Sequence, residues 1–256
     1  MLDKSKLSVL ETKQSKGNFS ADEIARFDAL ADSWWDPNGK YKTALLFNQA
    51  RISFFIPQIC KHFGREPDSA FPLRGLRILD VGSGGGLVCE PLASAGAQVV
   101  GIDASQISVE VARRHAATSA LNIEYRHELS STTASKGGQF DVVINAEVVE
   151  HVPDQSALIK ECCDLVNPGG FLVLATLNRT IKSWIIAIFG AEYVMRYLPK
   201  GTHDWKMFVT PNELNQMAST NGVTQTAESG MKYNPFKGEW RLSNDTSVNY
   251  IQCYKK

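Results

Sequence analysis

Short apolar runs separated by segments of helical period dominate the middle of the chain. Leu76-Arg77-Ile78-Leu79-Asp80-Val81 predicts a buried strand that runs into glycines, and Gln98-Val99-Val100-Gly101-Ile102-Asp103 predicts a second. Further strands are expected over 123–126, 140–145 and 171–176. Between them lie a helix opening near Gly86 and helices over 105–117 and 158–166, the last stopped by Asn167-Pro168-Gly169-Gly170. Strands alternating with helices at this spacing predict an α/β fold whose parallel sheet carries helices on both faces. Alternation over 246–254 predicts an antiparallel strand that closes the sheet. In front of this core, Ser20 caps a helix with Asp22 and Glu23 in its first turn, ending near Trp34-Trp35-Asp36-Pro37. A second helix is expected over 45–62, and the Trp34-Trp35 pair is read as packing.

This pattern divides the chain into a polar tail (1–19), a helical extension (20–72), a core (73–178), an apolar and basic insert (179–209) and the last part of the sheet (210–256). With 256 residues, 43% of them hydrophobic, the chain buries a large core without disulfides or structural metal. Lys+Arg and Asp+Glu both number 27, so no net charge draws the chain to nucleic acid, and no nucleic-acid partner is expected. Five cysteines without a CxxC pair read as reduced thiols. The first residues hold Asp3 and Glu11 and no arginine, a poor secretory or transit leader.

Chemistry enters at Asp80-Val81-Gly82-Ser83-Gly84-Gly85-Gly86. Glycine there lets the backbone turn sharply and lie against a nucleoside with no Cβ in the way. A dinucleotide fingerprint counted from Gly82 needs a third glycine where Leu87 stands, so that reading fails. The spacing Asp-x-Gly-x-Gly-x-Gly is the methyltransferase version. Asp103, about 20 residues after the first glycine, ends the second strand where a carboxylate accepts hydrogen bonds from ribose hydroxyls. Carboxylates also suit the sulfonium cation of S-adenosylmethionine (SAM). A tight strand–helix turn with Asp103 as a helix cap is the plainer reading, and the two features together favour the cofactor.

The fourth strand delivers Asn145-Ala146-Glu147-Val148-Val149-Glu150-His151-Val152-Pro153 to the carboxyl edge of the sheet, where ligands of open α/β sheets bind. If the chain turns helical at Ala146, then Glu147, Glu150 and His151 share one face. Such a set can hold a hard divalent cation, supply a general base, or simply pack at a helix start.

Phe27-x6-Trp34-Trp35-Asp36, the glycine loop, Glu147-x-x-Glu150-His151-Val152-Pro153, Thr176-Leu177-Asn178-Arg179-x3-Ser183-Trp184, Gly190-Ala191-Glu192-Tyr193 and Pro199-Lys200-Gly201-Thr202-His203-Asp204 occur in this order. Together with Tyr233-Asn234-Pro235 and Val248-Asn249-Tyr250 they closely resemble the ubiquinone-biosynthesis O-methyltransferases of bacteria and mitochondria, from about residue 20 onward. The resemblance implies a Rossmann-like class I SAM-dependent methyltransferase with a mostly parallel seven-stranded sheet. It implies two O-methylations, on a polyprenyl catechol and on a demethylubiquinol. It places Arg51, Gly82, Gly84, Asp103 and Ala146 at cofactor-contacting positions, and Glu147, Glu150 and His151 at positions for a magnesium-type ion. Phe47-Asn48-Gln49-Ala50 departs from the His and Pro that the family carries before Arg51.

Beyond the fifth strand, the apolar run around Trp184-Ile185-Ile186-Ala187-Ile188-Phe189 is flanked by Arg179, Lys182, Arg196 and Lys200. Basic residues beside Trp, Ile and Phe describe an interfacial segment. It is read as a lid that docks on anionic lipid and admits an isoprenoid tail, with a buried helix as the plainer alternative. His203 and Glu147 are the candidate bases for phenol deprotonation. The expected location is the cytoplasmic face of a bacterial inner membrane, or the matrix face of the mitochondrial one, beside other ubiquinone-biosynthesis proteins.

Overall fold

The computed structural model describes residues 17–28, 34–36, 42–186 and 204–256. The buried apolar runs become parallel strands β1 (Arg77–Val81), β2 (Gln98–Asp103), β3 (Glu124–His127), β4 (Phe140–Ala146) and β5 (Val166–Leu177). Three later strands, β6 (Thr224–Asn234), β7 (Glu239–Ser243) and β8 (Asn249–Lys255), add antiparallel to β5 and to one another. The sheet order is β3-β2-β1-β4-β5-β8-β6-β7.

The described helices are α1 (Ala21–Asp28), α2 (Lys42–His62), α3 (Cys89–Ser94), α4 (Gln106–Thr118), α5 (Ser130–Ser135), α6 (Gln155–Leu165), α7 (Ile181–Ser183) and α8 (Pro211–Ser219). Successive strand residues point to opposite faces, so each run feeds two cores. Ile78, Val142 and Val173 pack with Phe55, Ile59 and Leu92 on one side. Leu79, Val143 and Leu172 pack with Leu158, Ile159 and Leu214 on the other. All five cysteines are buried and unpaired.

Three expectations need correction. The sheet has eight strands rather than seven, because β6 turns back into β7, a short edge strand that pairs only with β6. The helix after the glycine loop begins at Cys89, not near Gly86, since positive φ at Gly82, Gly84 and Gly86 keeps the backbone out of helical geometry. The helix does stop before Asn167-Pro168-Gly169-Gly170, at Leu165, but that segment lies inside β5 rather than ahead of it. Its irregular backbone, with Gly169 at φ +78°, is absorbed by a register shift against β4 between Phe140 and Val142. The first helix is described to Asp28 and Trp34-Trp35 forms a turn, with residues 29–33 between them outside the described residues.

Parallel pairing of β1 with β2 and β4 brings three strand ends together at one edge. Among the described residues, the glycine loop, Asp103 and the Glu147–His151 turn collect there.

Candidate active site

The glycine loop leaves β1 under tension from β2. The amides of Gly82 and Ser83 both donate to the Ile102 carbonyl, at 2.8 and 2.9 Å. Asp103 then holds the loop's crest: one carboxylate oxygen accepts from the Gly84 amide and the other from the Ser105 amide, each at 2.8 Å. Burial raises the Asp103 carboxyl above its usual range, against those two amides. Beneath the loop, Cys89 donates its thiol to Asp80 at 3.2 Å. Burial pushes Asp80 up to about 7, opposed by Cys89 and by Arg51.

Arg51 reaches this edge from α2. Its guanidinium is buried, lies 4.9 Å over the Phe47 ring, donates to Asn48 Oδ1 at 3.2 Å and stands 3.5 Å from a Glu147 carboxylate oxygen. Burial lowers its pKa, while Glu147, Asp80 and Glu150 pull it back up. Two of its nitrogens, Nε and Nη1, make no hydrogen bond, Nη1 keeping only the ion pair with Glu147. Buried guanidinium donors left open are costly, and an anionic ligand group such as the carboxylate of an amino acid suits them. Ser83 Oγ is another buried atom without a partner. These open polar atoms, the positive-φ glycines and the acid at the end of β2 fit SAM, whose holders would be Arg51, the backbone of Gly82 and Gly84, Asp103 and the Ala146 end of β4.

On the acceptor side, the expected helical face is not formed. Ala146 is the last residue of β4, Glu147 has φ +59°, and only a single 3₁₀ turn follows at Val149–His151. A non-glycine residue in the left-handed region is strained, a state that recurs at functional sites. The three side chains take different partners. Glu147 faces Arg51, Glu150 accepts from Thr176 Oγ1 at 2.8 Å, and His151 Nδ1 lies 2.8 Å from Glu23 of α1. Among the described residues, no group of three His, Cys, Asp or Glu side chains is placed to share an ion. As arranged, the donors expected to bind magnesium do not fit one.

Burial pushes the Glu147 carboxyl up to about 7; Glu150 adds to this and Arg51 opposes it. Its side chain keeps 27% exposure, so it opens to the cleft. For His151, burial lowers the pKa but Glu23, Glu150 and Glu147 outweigh it, and the ring is held above its usual value. His203 lies outside the described residues.

Several participants escaped sequence reasoning. Glu23 was read only as a helix-start acid, and its partner is 128 residues away. Asn48, whose amide binds the Leu87 carbonyl at 2.6 Å and whose oxygen holds Arg51, sits in the stretch marked only as a departure. Its one turn of helical spacing from Arg51 was the available signal.

The Methyltransferase domain family model matches residues 79–174. Among solved structures, magnesium protoporphyrin IX methyltransferase from Synechocystis PCC 6803 with bound SAH aligns over 92% of this chain and 93% of that one, with a TM-score of 0.63 at 19% identity. That likeness shows the fold. Among curated relatives, the Ubiquinone biosynthesis O-methyltransferase of Chelativorans sp. (strain BNC1) is 46% identical, over 92% of this chain and 93% of that protein. The protein of the same name from Dinoroseobacter shibae is 48% identical, over 90% and 93%. Identity of this order along nearly the whole chain means that it belongs to the ubiquinone biosynthesis O-methyltransferases, which are SAM-dependent enzymes.

Proposed function

We propose that Glu147 takes the phenolic proton while the methyl group of SAM passes in line to a hydroxyl oxygen of a polyprenyl catechol or a demethylubiquinol. SAM supplies an electrophilic methyl on sulfur. The sulfur–carbon bond breaks as the oxygen–carbon bond forms, S-adenosylhomocysteine (SAH) leaves, and the hydroxyl proton goes to the Glu147 carboxylate. A phenol of pKa about 10 needs such a base at neutral pH. A carboxyl raised to about 7 matches that task better than an ordinary one.

The observation that carries this reading is the placement of Glu147: strained at φ +59°, at the end of β4, beside the buried Arg51 and open to the cleft. Orientation and a dry site supply the rest of the rate, and no step is routed through an ion. Glu147→Gln should lower kcat by about 10²–10⁴-fold while SAM binding changes little. Full turnover by that variant overturns the assignment.

A substrate with an isoprenoid tail must be drawn from a bilayer. Ile181, Trp184, Ile185 and Ile186 are solvent-exposed just past β5, at the same sheet edge, and Lys182 lies among them. No described helix is long and apolar enough to cross a membrane. These side chains support a lid that lies on anionic lipid at the cytoplasmic face of the inner membrane. Replacing Trp184 and Ile185 with Glu should abolish sedimentation with phosphatidylglycerol vesicles; unchanged binding overturns this part.

A further inference from the structure

The Trp34-Trp35 pair has no part in the acceptor chemistry, yet it is built onto the cofactor loop beside α1. The Trp35 indole donates its Nε1 hydrogen to the Gly85 carbonyl at 2.8 Å. Its ring lies parallel to the His115 imidazole, with centroids 3.6 Å apart, and His115 Nδ1 is 2.6 Å from Glu90. Trp34 lies on the loop itself: a methyl group added at Gly84 or Gly85 would meet its ring at 2.9 or 2.2 Å. Both indoles thus reach Gly85, Trp35 by a hydrogen bond and Trp34 by contact, and Trp34 touches Gly84 as well.

Helix α1 is fastened at two points. Glu23 binds His151 at 2.8 Å, just past β4. Asp28 accepts from Ser105 Oγ, just past β2. In the sheet β2 and β4 flank β1, so those points are two strand spacings apart, about 10 Å. From Glu23 to Asp28 a helix rises about 7–8 Å. The helix therefore bridges the carboxyl end of β1, above the start of the glycine loop. Ahead of it, Asn18 exchanges hydrogen bonds with the Asp154 backbone at 2.6 and 2.9 Å, a third tie on the β4 side.

We propose that α1 and the Trp34-Trp35 turn form a cover that retains the cofactor, fastened by Glu23–His151 and Asp28–Ser105, and that Trp34 and Trp35 are positioning residues for the Gly84-Gly85 crest. The proposal rests on the methyl donor lying at the glycine loop and is independent of which group takes the phenolic proton. The cover closes the cleft between the ends of β2 and β4, so SAH leaves when a fastening opens. Trp35 acts through Gly85: its hydrogen bond sets the crest whose neighbouring amide, that of Gly84, is held by Asp103.

Amide hydrogen exchange on the full chain, with and without SAH, is the first test. SAH should slow exchange in 21–28 and 34–36 as well as in 82–86; protection confined to 82–86 overturns the cover. The second test is the Glu23→Gln, Asp28→Asn double variant, followed by stopped-flow displacement of SAH. Release about tenfold faster, with the KM for SAM raised, is the expected result. SAH leaving this variant at the wild-type rate overturns the fastenings. Trp35→Phe keeps the stack on His115 and loses only the bond to Gly85, so it should raise the KM for SAM less than Trp35→Ala does. Equal values for the two overturn the graded positioning role.

Discussion

Replacing Gly85 with alanine isolates one contact. Gly85 does not have the positive φ of Gly82, Gly84 and Gly86, so alanine there adds no backbone strain. The added methyl would stand 2.2 Å from Trp34 Cε3, with further ring atoms at 3.0 and 3.3 Å. Carbon atoms rest at about 3.5–4.0 Å, so the rigid indole must retreat by more than 1 Å on that criterion. Overpacking of this kind costs about 1–3 kcal/mol. In a chain of this size each kcal/mol moves the melting temperature by about 2–4 °C, which gives a drop of about 2–12 °C. The assay is thermal or urea unfolding of four proteins: wild type, Gly85→Ala, Trp34→Ala and the double variant. With Trp34 truncated, the methyl has room, and the double variant should recover most of the Gly85→Ala loss. A coupling of about 1–3 kcal/mol is expected. Strict additivity within about 0.5 kcal/mol would refute the placement of Trp34 on the glycine loop and, with it, the steric half of the cover.

Other outcomes follow from the charges at the same edge. Glu147 and Asp80 are each raised to about 7, from ordinary carboxyl values of 4.5 and 3.8. A carboxyl so shifted keeps a proton in the folded chain that the unfolded chain has already released. Its contribution is full below the ordinary value and lost as pH rises through about 7. Urea unfolding should therefore show stability falling between these limits, and Asp80→Asn should flatten the fall. In turnover the sign reverses: kcat should rise with pH through about 7 as Glu147 becomes a base, and Glu147→Gln should lose that limb. Because the Glu147, Glu150 and His151 donors face separate partners, millimolar magnesium should leave the melting temperature unchanged. An ion at 100 times its Kd would instead add about 2.7 kcal/mol of stability, and such a rise would show that these donors rearrange to bind it. Tyr250→Phe removes a fully buried hydroxyl from the Val209 carbonyl, 2.8 Å away, and should cost about 1–2 kcal/mol in urea unfolding.

The parallel half of the sheet was legible because strands buried on both faces must be continuous apolar runs, as at Ile78-Leu79 and Val142-Val143-Ile144. The β6–β7 hairpin was not. The first half of β6 lies half-exposed, and a sequence such as Thr224-Gln225-Thr226-Ala227-Glu228 has no apolar face to betray it. Helix α5, Ser130-Ser131-Thr132-Thr133-Ala134-Ser135, is made of residues that favour caps and turns over helix interiors, so propensity argued against it. At the site, the glycine loop and Asp103 were readable from local spacing. The Glu147, Glu150, His151 face was misread because a periodicity argument assumes helical φ, and glutamate gives no hint of a left-handed backbone. Partners such as Glu23–His151 and Trp35–Gly85 depend on tertiary approach over 128 and 50 residues, which no local pattern encodes.

Gly82 shows why that left-handed turn matters to the donor side as well. A methyl group at Gly82 would sit 2.3 Å from Val148 Cγ2, so the first glycine of the loop is packed against the residue that follows Glu147. The Glu147 backbone amide meanwhile donates to the Ala175 carbonyl at 2.8 Å, and the Asn145 side-chain Nδ2 to the Val81 carbonyl at 3.2 Å. The turn after β4 is thus fixed to β5 on one side and to the end of β1 on the other. A methyl transfer needs its reacting atoms within about 3–3.5 Å and in line, with the base held just as closely. In this chain the glycine loop proposed for the methyl donor and the turn that carries Glu147, the proposed base, touch through Gly82 and Val148. Gly82→Ala would strain its own φ of +77° and push on Val148 at once. It should therefore lower kcat as well as SAM affinity, whereas Gly84→Ala, which meets Trp34 instead, should act on affinity. Equal kcat losses in the two variants, at saturating SAM, would break the link between the two halves of the site.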